Sequence, residues 1–435
     1  MKINWLNTDG LLHRASRKIA VSAAMVASFA LPLATAAAQS DTARDSLAAR
    51  LRRAEAAIAT LQQQLGEQSQ GEARSRSGAS LQFYGRVAVN GFANSRRVNN
   101  VDDPQFVRPD TTAGVPVRGL GMAIRQTTLG LAVSVPQVLG GAFSGDVDVD
   151  FYGGQMASTG GRTFPLLRIR TARGFVRWPH ATLMVGQESP LISGLNPVTP
   201  AAIGTPDFAT AGNLWLWLPQ VRVGVEQGNA VRFGAQAAVL APTSGDPAGT
   251  FDTDFDPAEK SQRPYLQGRA YVGWGSDELA GEAGCGVHQG WLIQPPGSVA
   301  TGLVGSRAIA CDARVPFAST LELRGEFFHG EAVRGLGGGA IGQNFGTDNR
   351  PLRTSGGWAQ INVRAGSLLR TGLGCGTDQP GNTAVRTRNG ACALYGILRG
   401  GGPLFLGAEV RRMRTRYAAG DFTNDHVAVA TGFAF

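Results

Sequence analysis

Along this chain, segments in which every second residue is apolar are joined by connections that are long and short by turns. Sixteen such segments begin near residues 81, 120, 142, 164, 181, 220, 230, 264, 278, 305, 319, 355, 367, 390, 403 and 424. The links at 94–119, 153–163, 189–219, 242–263, 292–304, 332–354 and 377–389 are long, with a shorter last one at 418–423. Those between them, such as Pro179-His180, Gln227 to Asn229 and Ser276-Asp277, are a few residues only. A soluble sandwich has no physical reason to gather its loops at one end. A bacterial outer-membrane barrel does, with tight turns on the periplasmic side, loops outside and an even number of strands. The expected fold is all-β, a 16-stranded antiparallel transmembrane β-barrel over residues 81–435.

The strand faces agree with that environment. Phe143, Val147, Val149 and Phe151 share one parity, while Ser144, Asp146, Asp148 and Asp150 share the other. Leu321, Leu323 and Phe327 oppose Glu322, Arg324 and Glu326, and Val221, Val223 and Val225 oppose Arg222 and Glu226. Alternate residues of a strand point to opposite sides, and a barrel of this size encloses a lumen too wide for aliphatic side chains to fill. The polar set therefore lines the inside and the apolar set meets lipid. The closing segment places Val427, Val429, Phe433 and Phe435 outward, with the aromatics at the interfacial belt. Helical spans are excluded, because past the N-terminal region no run approaches the ~20 apolar residues each would need. Arg125 breaks the pattern by falling in phase with Leu129, Leu131 and Val133, so this strand requires a bulge or places Arg125 at the membrane rim.

The N-terminal portion has a different character. Basic residues to Lys18 precede an apolar run from Ile19 to Leu33 and the small residues Ala36-Ala37-Ala38, the pattern of a signal peptide over 1–38. Its removal lowers the formal charge from +9 to +6. The remaining cations are arginines apart from Lys260, and they alternate with acids instead of forming one patch, which argues against nucleic acid as a partner. Leu47, Leu51, Ala54, Ile58, Leu61 and Leu65 form a heptad seam, so 41–70 reads as a coiled-coil oligomerisation helix, followed by a linker at 71–80. A solitary amphipathic helix is the alternative. With about three heptads, the coiled coil needs support from another interface.

Inward parity assigns Arg86, Arg168, Arg170, Arg222, Arg232, Arg269 and Arg324 to the lumen as the candidate anion-selectivity set. Asp146, Asp148, Asp150, Glu322 and Glu326 are the opposing acids, and Arg314, Arg364 and Arg411 share the inward parity. Guanidinium pairs carboxylate or phosphate in a bidentate fork, so facing rows of opposite sign would create a field across the channel. The plainer alternative is that many of these charges satisfy one another between neighbouring strands. The third long connection, Glu188 to Pro219, holds Pro190, Pro197, Pro200 and Pro206 before its closing Pro219 and only two acids, Glu188 and Asp207, and is the candidate constriction loop. A cap over the mouth or a subunit contact is its alternative.

Four cysteines without C-x-x-C spacing in an exported chain favour disulfides over a metal site. Hairpin pairing selects Cys285 with Cys311 and Cys375 with Cys392 among three connectivities, stapling external loops; free thiols are the alternative. No histidine accompanies a serine or acid in a hydrolase pattern, and Gly335 to Gly342 lacks the strand-to-helix context of a phosphate cradle. No enzymatic activity, metal or cofactor is expected.

Leu-Gln-Phe-Tyr-Gly-Arg-Val at 81–87, Ile-Arg-Gln-Thr-Thr-Leu-Gly-Leu at 124–131, Leu-Arg-Ile-Arg at 167–170 and Val-Gly-Gln-Glu-Ser at 185–189, behind an exported heptad helix, resemble the DcaP-like trimeric porins. The resemblance covers most of the mature chain. It implies a sixteen-stranded homotrimer in outer-membrane lipid with a periplasmic coiled coil, passing small anionic solutes such as dicarboxylates. The chain departs from that family's usual Gly-Gln-Thr-Trp at the third-loop opening, where Glu188 and Ser189 stand instead. A phosphate-selective porin is an alternative, but such porins use lysine clusters. A plugged barrel serving as adhesin or cell-wall anchor is another.

Overall fold

The computed structural model describes residues 72–74, 78–110, 118–154, 163–202, 204–245, 254–295, 302–400 and 402–435. The expected signal peptide and coiled-coil helix lie outside them. Chain contacts divide the protein into two units, residues 3–83 and a larger one made chiefly of 84–435. In the first, Glu72–Arg74 is a short strand paired antiparallel with Ser80–Gln82, where the sequence suggested a plain linker.

The larger unit is a closed antiparallel barrel of sixteen strands. In chain order these are β1 (Ser80–Asn94), β2 (Gly119–Ala123 continued by Thr128–Val138), β3 (Gly141–Asp150), β4 (Arg168–Arg177), β5 (Ala181–Glu188), β6 (Leu218–Gly228), β7 (Val231–Leu240) and β8 (Tyr265–Trp274). They continue with β9 (Gly281–Ile293), β10 (Leu303–Ala318), β11 (Leu321–Glu331), β12 (Arg353–Ala365), β13 (Leu369–Pro380), β14 (Arg386–Arg399), β15 (Leu404–Tyr417) and β16 (Gly420–Ala434). Each strand pairs with its chain neighbours, and β16 closes onto β1 from Ala434 opposite Arg86 to His426 opposite Asn94. Closure leaves no edge strand to template aggregation, which in lipid is a requirement, since an unpaired backbone group there has no water to bond.

The outer face is apolar and uncovered. Val221, Val223 and Val225 on β6, Leu394 and Leu398 on β14, and Leu404, Leu406 and Val410 on β15 are all about half exposed or more. Such a side chain left in water forfeits about 1.5–3 kcal/mol relative to burial. Repeated on strand after strand, that cost makes lipid the only environment in which this face is stable.

Two expectations are corrected. The seventh and eighth loops shrink to residues 381–385 and 418–419, because β13 to β16 continue beyond the apolar band with polar residues on both faces. Both disulfides have the expected partners but do not staple loops. Cys285 stands directly opposite Cys311 across β9 and β10, and Cys375 opposite Cys392 across β13 and β14, with Cα separations of 4.0 and 4.1 Å. They are rivets within the wall, outside the lumen.

Candidate functional site: the lumen and its inserted loop

The β5–β6 connection, residues 189–217, is folded into the barrel. Its proline content and near absence of charge let it lie among wall side chains, and backbone groups that cannot pair with one another meet polar side chains pointing inward. The Leu191 amide donates to Gln267 on β8 at 2.6 Å, the Val198 amide to Gln360 on β12 at 2.7 Å, and the Ser193 hydroxyl to Glu326 on β11 at 2.6 Å. Thr199 donates to Glu409 on β15, and Asn90 on β1 and Gln126 in the break of β2 donate to the Ala201 carbonyl. The loop thus crosses from the β8–β12 wall to the β15–β2 wall. It then returns: Phe208 and Ala211 pack with Trp358, Ala391 and Met413, while Leu214 joins Leu191, Ile192, Leu240, Tyr265 and Phe328 in the largest apolar cluster.

Close approach on the return leg depends on glycine. Gly212 has a φ of +103°, and a Cβ there would overlap the Gly357 backbone on β12. Two glycines facing each other let two main chains touch where side chains would hold them apart.

A buried charge knot fixes the same loop. Arg411 on β15 donates to Glu409 at 2.7 Å, pairs with Asp207 of the inserted loop and lies 3.8 Å from Asp103 of the β1–β2 loop. Asp103 also accepts the Thr205 amide at 2.8 Å, while neighbouring Asp102 takes Arg125 at 3.1 and 3.2 Å. Three carboxylates around one guanidinium leave an excess of negative charge without water, so burial pushes Asp207 well above the usual carboxylate range and Asp103 up to about 8. Arg125, the misfit in the alternation, sits at the break in β2 and turns inward to this knot.

The candidate arginines divide between the loop and the wall. Arg168 forks Asp150 at 3.0 and 2.7 Å and donates to the Gly204 carbonyl at 2.6 Å. Arg170, 3.5 Å from Asp150, and Arg168 both stack over Trp217 at 5.2 Å, which makes Trp217 an interior residue. Arg86 donates to the Gln126 carbonyl and lies over Phe405, and Arg222 donates to the Ser189 carbonyl at 3.0 Å. Arg269 forks Asp312 and reaches Glu282 at 2.9 Å. Arg232 is 3.5 Å from Glu226 near the tight turns.

Asp146, Asp148 and Asp150 do not face the arginines from across the lumen. Asp146 pairs with Arg173 and Asp150 with Arg168 on the adjacent strand, so the plainer alternative, pairing along the wall, describes them. Asp148 is buried in the same row. Glu326 anchors the loop. Glu188 ends β5 and pairs with Arg173, so it belongs to the wall and not to the constriction loop; Asp207 is in the loop.

Glu322 is different. Arg314 donates to it at 2.6 Å, Arg324 at 2.8 Å, and Arg370 lies 3.8 Å away. Three guanidiniums on one carboxylate give this part of β10–β13 a positive surplus, and Arg314 and Arg370 remain about a quarter exposed. Arg370 and Arg173 were missed in the sequence. Arg173 reaches the lumen because a register shift pairs Thr171 with Asp148 but Ile169 with Val149, leaving Arg170 as an extra residue and resetting the parity. Two inward acids in phase with it across β3 were the available signal.

No family model matches the chain, and no curated protein matches it. Among solved structures it is similar to the outer membrane channel DcaP of Acinetobacter baumannii, with a TM-score of 0.62 and 17% identity over 83% of this chain and 99% of that one. It is also similar to OmpF of Salmonella typhi in complex with daunomycin, with a TM-score of 0.50 and 10% identity over 84% and 100% of the two chains. At these identities the likeness is one of fold: the chain has the porin-type barrel, and the DcaP-like resemblance read in its sequence is met by a structural neighbour of that name.

Proposed function

We propose that this chain is an outer-membrane porin, exported with loss of residues 1–38 and assembled as a homotrimer, which passes small anionic solutes by diffusion. The observation that carries this reading is a charged, loop-narrowed lumen inside an apolar-sided barrel. Charge buried in a wall that served only to fold would be costly without water nearby. Here Arg168, Arg173, Arg314 and Arg370 each keep accessible area inside the barrel. The excess of guanidinium over carboxylate around Glu322 supports anions as the favoured class, since dehydrated carboxylates and phosphates match the guanidinium fork. Dicarboxylates, implied by the sequence resemblance, fit a lumen with several such groups spaced along its wall.

Planar-bilayer recording tests the proposal. Stepwise currents with a reversal potential favouring chloride in a potassium chloride gradient support it; a barrel that never conducts refutes it. A second reading, a barrel plugged by its own loop and serving as an anchor, is favoured by the attachment of residues 189–217 to both walls. It predicts silence in the intact protein and current only after the loop is released.

A further inference from the structure

We propose that the outer face of β14 and β15, at the end remote from the tight turns, binds the phosphorylated headgroup of a lipid in the external leaflet. This rests on the barrel being embedded in a bilayer and not on whether it conducts. On β15 the lipid-facing parity reads Leu404, Leu406, Ala408 and Val410, then Arg412, Arg414 and Arg416. Counted from Leu404, Arg412 is the ninth residue of β15, and a tilted strand crosses the hydrocarbon in about 9–11 residues. The arginines therefore begin where hydrocarbon gives way to headgroups. Register adds a fourth: Arg388 on β14 stands directly opposite Arg416, with Gly390 opposite Arg414. The missing side chain at Gly390 opens a cleft of about 470 Å³, floored by Gly390 and Cys392 and rimmed by these arginines.

Local acids do not neutralise the group. Asp421 accepts from Arg416 at 2.8 Å and pairs with Arg414, and Asp425 lies 3.7 Å from Arg412. Arg388 has no ion pair among the described residues, so four guanidiniums meet two carboxylates. The side chains of Arg412, Arg414 and Arg416 remain 73%, 65% and 51% exposed. Elsewhere among the described residues of this rim, Arg307 and Arg353 stand on either side of one acid, Glu331, opposite both in register; Arg307 also donates to Gln289, and Arg353 lies 3.7 Å from Glu331. A row of guanidiniums about 7 Å apart along one strand suits a headgroup with more than one phosphate, each taken by a fork. A second copy of the chain is the weaker occupant, because the outward parity of the other described strands presents no matching row of carboxylates.

The test is native mass spectrometry of the oxidised full-length protein in detergent, titrated with diphosphorylated lipid A and with the same lipid enzymatically stripped of phosphate. The diphosphorylated form is expected to bind about tenfold more tightly or better, a difference of about 1.4 kcal/mol. The triple variant Arg412→Gln, Arg414→Gln, Arg416→Gln should lose that preference, while Arg307→Gln, Arg353→Gln keeps it. Equal binding of the two lipids to the unsubstituted protein overturns the proposal without reliance on any variant. So does an unchanged preference in the triple variant, or displacement of the lipid by millimolar inorganic phosphate. A change of oligomeric state in the triple variant with lipid binding intact would assign the face to a contact between copies and overturn it as well.

Discussion

At the scale of single residues, the Arg411 knot carries a pH dependence whose sign is fixed. Asp103, buried beside Arg411, Glu409, Asp207 and Asp102, has its folded-state value raised to about 8, against an ordinary value of 3.8. With the loop seated, the site holds a proton that a released, solvated Asp103 would give up between those limits. Seating is therefore strongest near pH 4 and weakens as pH rises towards 8, by at most about tenfold per pH unit per proton. Asp207 shifts in the same direction and adds to the trend. Limited proteolysis within 189–217, followed from pH 5 to pH 9, should accelerate with pH, and Asp103→Asn should flatten the profile. A second residue-level expectation concerns selectivity. Arg314→Gln with Arg370→Gln should move the reversal potential towards cation preference, because those groups are accessible and in surplus. Arg170→Gln should mainly loosen the loop, since Arg170 is only 1% exposed and packs between Asp150 and Trp217. Inward parity was readable for most of these side chains. The Arg173 position was not readable from β4 itself, because one extra residue there resets the alternation, and the only signal lay in the inward acids of the neighbouring strand β3.

At the scale of elements, the strands were legible and the loop's path was not. The period-two pattern located every barrel strand to within four residues, the largest departures being Arg168, Arg386 and Gly420. Proline and low charge marked 189–217 as a loop able to enter the barrel, but its course depends on long-range partners such as Glu326, Gln360 and Glu409, whose sequence separations exceed a hundred residues. Gly212 offers the cleanest test of that course. Gly212→Val must adopt a backbone conformation costing about 1–3 kcal/mol and would also clash with Gly357. The variant should conduct more than the original protein while its barrel resists denaturant as before. The disulfides belong to the other class of element. They close segments of 26 and 17 residues, so reduction should cost about 3 kcal/mol each in the chain-entropy account and lower the unfolding temperature. Conductance should be unchanged, because both bridges lie outside the lumen.

For the whole molecule, closure follows from two patterns that the sequence shows separately, the alternation along each strand and the alternation of connection lengths. What it withheld was how far strands continue past the bilayer. The last four project outward, shortening their loops and lifting Arg388, Arg412, Arg414 and Arg416 to headgroup level. The account as a whole requires that β6 present Val221, Val223 and Val225 to lipid and Arg222 and Glu226 to water. Single nitroxide labels at these five positions, in the disulfide-intact protein reconstituted in liposomes, measure this directly. Collision with oxygen should peak at the three valines, and collision with a water-soluble nickel chelate at the two charged positions. Chelate access that is highest at the valines, or that shows no period of two, would contradict it.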